Sequence, residues 1–462
     1  MKPRVTSVML FLAALIPSLL SCGPTADPRL AGSWRGAEVS GWIPVRLQGS
    51  PAQIGFQHGY LLAPEIADAI KVIQLTLTRD TKRDWAFLRK AAETVLWNNT
   101  EEEYRQELRG ISEGLAARGV TVEVTDLVVL NGNLELPYYT DWLDKQKTSS
   151  APERCSAFVA TGSWTRGGQP VIAHNNWSGY LEGSRWNIIF DIRPEKGYRI
   201  LMDGFPGLIH SGDDFGMNSA GIVITETTIS RFKGFEPNGV PEFVRARKAM
   251  QYAASIDDFV RIMAYRNNGG YANTWLLADT KRNEIGRLEL GLKNVTLERT
   301  SDGYFVGANF PVNPKLTTEE TEFPATDPGV SGCARRTCWE RLMPESKGRI
   351  DVEAAKRFLA DHYDAYEKKA NAPSERTLCG HVDLSPRGMK PWQEAFGPAG
   401  TVQAKVADAV MVQGMEMWAA MGHPCGLDFV AVEFLQRHPE YGWQRELLRD
   451  LPSRPWTLFS LR

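Results

Sequence analysis

A short hairpin that begins near residue 155 constrains the fold of this chain more than any other stretch. Residues 156–161 (Ser-Ala-Phe-Val-Ala-Thr) have the apolar and β-branched character of a short buried strand. A turn follows in which Gly167 and Gly168 can adopt positive φ, and residues 171–174 predict the returning strand. Cys155 stands directly before the first strand, after a polar loop at 145–154, and polar residues are expected just beyond the end of the second strand at His174. The hairpin therefore predicts a buried two-stranded unit with a cysteine at one end.

The residues of this hairpin resemble those of a known family. The patterns Cys-Ser-x-Phe-x-Ala-Thr-Gly and Ile-Ala-His-Asn-Asn-Trp are similar to those of the phospholipase-B-like proteins and the related isopenicillin N acyltransferase family. These are N-terminal-nucleophile (Ntn) hydrolases, so the resemblance implies an α+β fold, a four-layer αββα sandwich. It also implies that the chain cleaves itself between Arg154 and Cys155. The freed α-amino group of Cys155 would then accept the thiol proton, because an α-amine titrates near neutral pH.

The same resemblance assigns further residues to a catalytic site around Cys155. His174 and Trp177 stand where the relatives place pocket residues, although the bile-salt and penicillin V acylases have a different motif at this point. The stretch 221–228 ends in Glu-Thr-Thr and resembles the family's Glu-Thr-Thr element. Of the threonines in this stretch we choose Thr227 as the one that faces the nucleophile.

Two later assignments leave alternatives open. Asn309, in Gly-Ala-Asn-Phe-Pro, resembles the asparagine that contributes to the family's oxyanion hole, and Asn273 is the competing candidate. Arg336 resembles the arginine that anchors the site, with Arg335 and Arg341 as alternatives.

The first 22 residues predict a lipoprotein signal peptide. Lys2 and Arg4 precede an apolar stretch at residues 8–20, and Leu-Leu-Ser-Cys ending at Cys22 resembles a lipobox, which implies lipid on Cys22. An ordinary secretory peptide cleaved nearby is the alternative. We therefore expect a bacterial cell-envelope protein, anchored to a membrane by lipid and facing the periplasm or exterior.

Four cysteines remain after Cys22 and Cys155 are assigned. An oxidising envelope permits disulfides among them, but the sequence does not choose between the three pairings. A zinc site is the alternative, although the spacing matches no zinc signature. The four cysteines are Cys333, Cys338, Cys379 and Cys425, and the alternative zinc site would combine the last two with His381 and His423.

The periodicity of the sequence predicts a helical region before Cys155 and strands after it. Helices are expected at 52–76, at 100–119 with a Thr100–Glu103 capping box, and at 126–136. We predict strands at 187–192, 198–202, 221–225, 274–278 and 285–290, and helices at 242–253, 257–265 and 352–363. The domain prediction is a signal peptide (1–22), a tether and entry segment (23–48), a helical N-terminal segment or small chain (49–154), and the catalytic core with a C-terminal extension (155–462).

These features predict a self-processing cysteine hydrolase that cleaves an amide or lipid ester bond of an acylated substrate through a thioester on Cys155. An acyltransferase and a non-catalytic envelope binding protein of the same fold are the alternatives. The resemblance implies no metal or organic cofactor. The formal net charge of −2 argues against a nucleic-acid partner. The resemblance implies a small acylated or lipid substrate, and the lipobox-like sequence implies attachment to the membrane.

Overall fold

The structure, a computed structural model, describes residues 27–145, 155–212, 215–385 and 397–461. Within these ranges no helix combines the length and the hydrophobicity that a membrane crossing requires. The helices are α1 Pro51–Leu61, α2 Ala63–Thr81, α3 Trp85–Ala91, α4 Glu102–Ala117, α5 Val124–Asn131, α6 Leu136–Leu143, α7 Tyr180–Gly183, α8 Glu242–Tyr252, α9 Ile256–Ala264, α10 Pro314–Glu320, α11 Ser331–Glu345, α12 Val352–Leu359, α13 Ala409–Gly414 and α14 Ala431–Arg437. The strands are β1 Trp34–Arg35, β2 Ile43–Gly49, β3 Ser156–Thr161, β4 Val171–Gly179, β5 Ile188–Pro194, β6 Ile200–Gly204, β7 Gly216–Asn218, β8 Ile222–Thr228, β9 Asn273–Asp279, β10 Glu284–Leu290, β11 Val295–Thr300, β12 Gly303–Gly307, β13 Ala399–Asp408, β14 Glu416–Met421 and β15 Thr457–Ser460.

The strands form two sheets that face each other. The larger sheet has the order β1-β2-β5-β6-β7-β8-β9-β10-β11, and the smaller has the order β12-β3-β4-β13-β14-β15. Only the β2–β5 pair among them is parallel in the described chain. β3 shows how one strand serves two layers, because successive side chains point to opposite faces. Ala157 and Val159 belong to the hydrophobic core between the sheets, whereas Phe158 and Ala160 belong to the core on the outer face.

Helices cover the outer faces of both sheets. The core outside the larger sheet takes residues from α1–α6, α8 and α9, and the core outside the smaller sheet takes residues from α11 and α12. The order of layers is therefore helices, sheet, sheet, helices, and the predicted four-layer αββα architecture is confirmed. β4 extends to Gly179 rather than ending at His174. The polar residues of this stretch lie inside the strand, because the layers on both sides supply them with contacts.

The helical N-terminal region differs from the prediction in its boundaries. The single helix expected at 52–76 is two helices, α1 and α2, that meet at Leu62. Pro64, in the first turn of α2, accounts for this break because proline lacks an N–H and restricts the residue before it. α4 begins without the predicted capping box, since the Thr100 hydroxyl instead donates to the carbonyl oxygen of Leu96 at 2.9 Å.

Glycines bring α1 and α4 into backbone contact. A Cβ at Gly55 would lie 1.9 Å from the carbonyl oxygen of Glu107, and one at Gly114 would lie 2.1 Å from that of Phe56. Only glycine permits such an approach. The described part of the segment 23–48 includes β1 and β2, so this stretch belongs to the larger sheet.

Candidate active site

Cys155 occupies a constrained backbone position directly before β3. Its side chain is 1% exposed, and its φ is +102°. A non-glycine residue rarely has φ in this region, and residues held there store strain of about 1–3 kcal/mol. Arg154, the residue predicted to precede the cleaved bond, lies outside the described residues.

Glu226 and His174 place two acid–base groups near the Cys155 thiol. The Sγ of Cys155 lies 3.9 Å from Oε1 of Glu226, and one donor atom from each of the three residues falls within 4.8 Å of the others. The hydroxyl of Tyr271 donates to the same Glu226 oxygen at 2.8 Å. A carboxylate and an imidazole at this range can exchange a proton with a nucleophilic thiol. Sequence reasoning missed Glu226, although it is the first residue of the Glu-Thr-Thr element from which Thr227 was chosen.

The arginine at the site is Arg335, and the prediction of Arg336 is corrected. Arg335 is fully buried, and its guanidinium donates to the carbonyl oxygen of Cys155, to Oγ of Ser156 at 3.2 Å and to Oδ1 of Asn309 at 2.9 Å. Consecutive helix positions point about 100° apart, so α11 directs its two adjacent arginines to different surroundings. The Arg336 side chain is 47% exposed and pairs with Glu340.

The ion pairs of Arg341, the other alternative, are with residues other than those around Cys155. Its guanidinium lies 3.3 Å from Glu345 and 3.6 Å from Asp361.

Trp177 is a buried wall of the site. The Arg335 guanidinium lies 4.2 Å from the centre of its ring system, a cation–π arrangement. Gly380 packs closely against the same indole, because a Cβ there would lie 2.2 Å from ring atoms. Trp177 thus joins the arginine beside Cys155 to the loop around residue 380.

Both candidate asparagines for the oxyanion hole are buried near the site. Asn309 adopts φ of +66°, which asparagine tolerates, and its Nδ2 donates to the carbonyl oxygen of Thr228 at 3.0 Å. Asn273 lies opposite Thr228 in the β8–β9 register. Neither amide atom of Asn273 has a hydrogen-bond partner among the residues described.

Hydroxyl groups at the end of β8 form a buried polar surface. Thr227 is 1% exposed and packs against Gly307, because a Cβ added at that glycine would lie 2.6 Å from the Oγ1 of Thr227. Gly307 pairs with Ala157 in the β12–β3 register, so Thr227 lies close to the start of β3. In the described part of the chain the hydroxyls of Thr227, Thr228 and Ser230 have no hydrogen-bond partner. A buried polar group without a partner costs about 1–3 kcal/mol, so such a group indicates a place for water or a bound ligand.

A buried ion pair lies behind His174. Lys405 is opposite His174 in the β4–β13 register, and its Nζ lies 3.2 Å from Oδ2 of Asp203 and 3.0 Å from Oε1 of Gln403. Both charged side chains are fully buried. Removing one partner of such a pair is strongly destabilising because the other charge remains buried.

The chain belongs to the phospholipase B family, whose sequence profile matches residues 80–453. It is 25% identical over 380 residues to an uncharacterised protein of Archaeoglobus fulgidus, covering 74% of this chain and 62% of that protein. It is 26% identical over 326 residues to a phospholipase B-like 2 protein of Mus musculus, covering 60% of this chain and 54% of that protein. It is 26% identical over 280 residues to a phospholipase B of Crotalus adamanteus, covering 55% of this chain and 49% of that protein.

The chain therefore spans about half to three fifths of the length of these relatives. Among solved structures, a conjugated bile acid hydrolase of Clostridium perfringens aligns with a TM-score of 0.34 and 10% identity, covering 57% of this chain and 88% of that one.

Proposed function

We propose that this protein is a self-processing cysteine hydrolase that uses Cys155 to cleave an amide or lipid ester bond of an acylated substrate. The observation that carries the proposal is the environment of Cys155, a buried thiol at φ +102° whose carbonyl group is held by Arg335 and whose sulfur faces Glu226. Membership of the phospholipase B family supports a hydrolytic activity of this kind.

In the self-cleavage step the thiol of Cys155 attacks the carbonyl carbon of residue 154. A carbon–sulfur bond forms, the carbon–nitrogen bond breaks, and the thiol proton ends on the departing α-amino group. Water then hydrolyses the thioester to a carboxylate and a free thiol. Glu226 and His174 are the groups placed to move the proton, and Arg335 fixes the peptide on the other side of Cys155.

In turnover the new α-amino group of Cys155 takes over as the base. The thiolate attacks the acyl carbonyl of the substrate, the amine or alcohol leaves with a proton, and water hydrolyses the thioester. An amide N–H aimed at the developing oxyanion lowers the energy of the transition state, and Asn309 is our candidate for it. The partnerless hydroxyls at the end of β8 are suited to contact polar atoms of the bound substrate.

Intact mass and N-terminal sequencing of the purified protein test the processing step. We expect a fragment that begins with Cys155, and Cys155→Ala should remain a single chain without activity. Cys333→Ala is the matched control, because Cys333 is a half-buried thiol on α11. An active protein that consists of one uncut chain would contradict the α-amine mechanism.

The bond that is cleaved can be assigned with two substrates that share one acyl chain, an N-acyl amide and a phospholipid. We expect processed protein to release the acyl group from at least one of them, and the faster substrate identifies the bond. Binding of both substrates without release of the acyl group, by fully processed protein, would favour a binding protein of the same fold.

We also propose that lipid on Cys22 holds the protein on an envelope membrane. The support is the lipobox-like sequence alone, since residue 22 lies outside the described residues. Cys22→Ala should release the protein into the soluble fraction or leave it unprocessed at its N-terminus, because the variant lacks the sulfur that would carry the lipid. Without lipid on residue 22 the processed chain would have no acyl chains to bury in the membrane. Unchanged membrane fractionation of a Cys22→Ala variant that is cleaved at its N-terminus like the wild type would refute the assignment.

A further inference from the structure

A group of four nitrogen and sulfur donors lies away from Cys155, where three segments of the chain meet. His362 follows α12, Cys379 and His381 lie in the loop before residue 385, and Cys425 follows β14. One donor atom from each residue falls within 4.8 Å of all the others. Cys379 and His381 are buried, and His362 and Cys425 are partly buried.

The Nε2 atom of His381 is the centre of this arrangement. It lies 3.2 Å from Nε2 of His362, 3.5 Å from Sγ of Cys379 and 3.5 Å from Sγ of Cys425. A ring nitrogen has one in-plane direction for a hydrogen bond, so it cannot bond to three neighbours on different sides. Four donor atoms this close together can instead bind one ion.

These separations fit the edges of a tetrahedron around zinc. Zn–N bonds of about 2.0–2.1 Å and Zn–S bonds of about 2.3 Å place two nitrogens about 3.3 Å apart and a nitrogen about 3.5 Å from a sulfur. The observed N–N and N–S distances are 3.2 and 3.5 Å. We propose that His362, Cys379, His381 and Cys425 form a Cys₂His₂ site for a single Zn²⁺ ion.

The set differs by one residue from the zinc alternative that the sequence suggests. His423 is excluded because its Nε2 lies 3.0 Å from the Tyr180 hydroxyl and its Nδ1 lies 2.9 Å from the carbonyl oxygen of Leu427. Its ring stacks on that of His381, with 4.2 Å between the ring centres. His423 thus supports the orientation of a ligand, and His362 supplies the fourth donor.

Backbone hydrogen bonds hold the ligands in place before any ion binds. The N–H of Cys379 donates to the carbonyl oxygen of Asp361 at 3.1 Å, which joins the segments that carry His362 and Cys379. The N–H of His381 donates to the carbonyl oxygen of Ser374 at 3.1 Å. The amide of Asn175, on β4, donates to the carbonyl oxygens of Leu359 and Leu378, both at 2.8 Å.

A disulfide between Cys379 and Cys425 is the competing arrangement. It would explain why the two sulfurs are close, but it gives no reason for two imidazole nitrogens to point at them. No disulfide joins any of the cysteines that the structure describes. The convergence of all four donors favours the metal.

Four protein donors complete a tetrahedral shell, which is typical of structural rather than catalytic zinc. Gly380, between two of the ligands, packs against Trp177, and Trp177 packs against Arg335 at the nucleophile. The ion would therefore fix the loop that forms the far wall of the candidate active site.

The test is the metal content of the full-length protein, purified without chelators or a metal-affinity step. Elemental analysis should give one zinc per chain in the wild type, less than a tenth of that in His362→Ala and Cys425→Ser, and an unchanged value in Cys333→Ser. Protein reconstituted with Co²⁺ alone should show the intense visible bands of tetrahedral cobalt and a near-ultraviolet thiolate band. Both signals should be lost in Cys425→Ser.

Two results from the wild type alone would overturn the proposal, so neither needs a folded variant. One is wild-type protein that contains no transition metal and gives no tetrahedral Co²⁺ spectrum. The other is a Cys379–Cys425 disulfide, detected by peptide mapping of the unreduced wild type. Zinc that remains at one per chain in both ligand variants would show that the ion binds elsewhere, which also refutes the site.

Discussion

Replacing Arg335 by glutamine should impair both folding stability and self-cleavage, whereas the same change at Arg336 should do neither. Arg335 is buried and donates hydrogen bonds to four oxygen atoms, those of Cys155, Ser156, Ser331 and Asn309. Arg336, the next residue on α11, is exposed, and its ion pair in the described part of the chain is with Glu340, one helical turn away.

The magnitudes follow from these contacts. A hydrogen bond that involves a charged group contributes about 1.5–3 kcal/mol, and glutamine can replace at most part of the network, so we expect a loss of about 3–5 kcal/mol. An exposed pair four residues apart on a helix contributes about 0.3–0.5 kcal/mol, so Arg336→Gln should be nearly neutral. Because the Cys155 carbonyl would no longer be fixed, self-cleavage should slow by about 10²-fold, the effect of a displacement of about 1 Å at a reacting centre.

Urea unfolding of the Cys155→Ala background measures stability without interference from cleavage. Time courses of chain cleavage after cell-free synthesis measure the processing rate. Arg335→Lys keeps the charge but not the forked donors, and should fall between the wild type and Arg335→Gln in both assays. Equal stability and equal cleavage rates for Arg335→Gln and Arg336→Gln would refute the reasoning.

Three further predictions concern other parts of the molecule. Burial lowers the pKa of His58 from 6.5 to about 3, and its Nε2 accepts a hydrogen bond from a backbone N–H, so the neutral histidine contributes stability above pH 6.5 that is lost as the pH falls towards 3. Between pH 7 and pH 5 the free energy of unfolding of the wild type, measured in urea, should fall by about 2 kcal/mol more than that of His58→Gln, and equal losses would contradict this. Gly380→Ala should destabilise the protein by about 1–3 kcal/mol in thermal unfolding because the new Cβ would overlap the facing indole, whereas Gly442→Ala, with open space around it, should not. Asn309→Ala should fold and process but slow turnover by about 10²–10³-fold, and wild-type rates would transfer the oxyanion role to Asn273.

The fold was predictable from the sequence where one hairpin carried enough information. β3 has the bounds expected from its composition, and the four-layer arrangement implied by the resemblance is the one observed. Helix boundaries were predicted less well, because local rules compete. The hydroxyl of Thr100 satisfied the capping pattern in the sequence but bonds to the preceding helical turn in the structure.

The candidate site was only partly predictable for a different reason. Motifs identify neighbours in sequence, but the direction in which each side chain points depends on helix and strand geometry. Arg335 and Arg336 are equivalent in a motif and differ by about 100° on a helix. Glu226 contacts Cys155 across the two sheets, and His362 reaches the other donors of the proposed zinc site from a separate segment, so neither contact leaves a signal in local spacing.

The pairing of β2 with β5 would have a consequence for the protein if the chain is cleaved before Cys155 as we propose. β1 and β2 complete the larger sheet, and α1–α6 cover it, so the fragment before Cys155 supplies part of the central structure. Cutting the chain would therefore not release a propeptide but would leave two interlocked polypeptides. Unfolding would separate them, and recovery of the native state would become a second-order reaction whose yield depends on protein concentration. The uncut chain would refold at a rate independent of concentration. After maturation the protein would therefore depend on the native structure that it reached once, as a single chain, before it was cut.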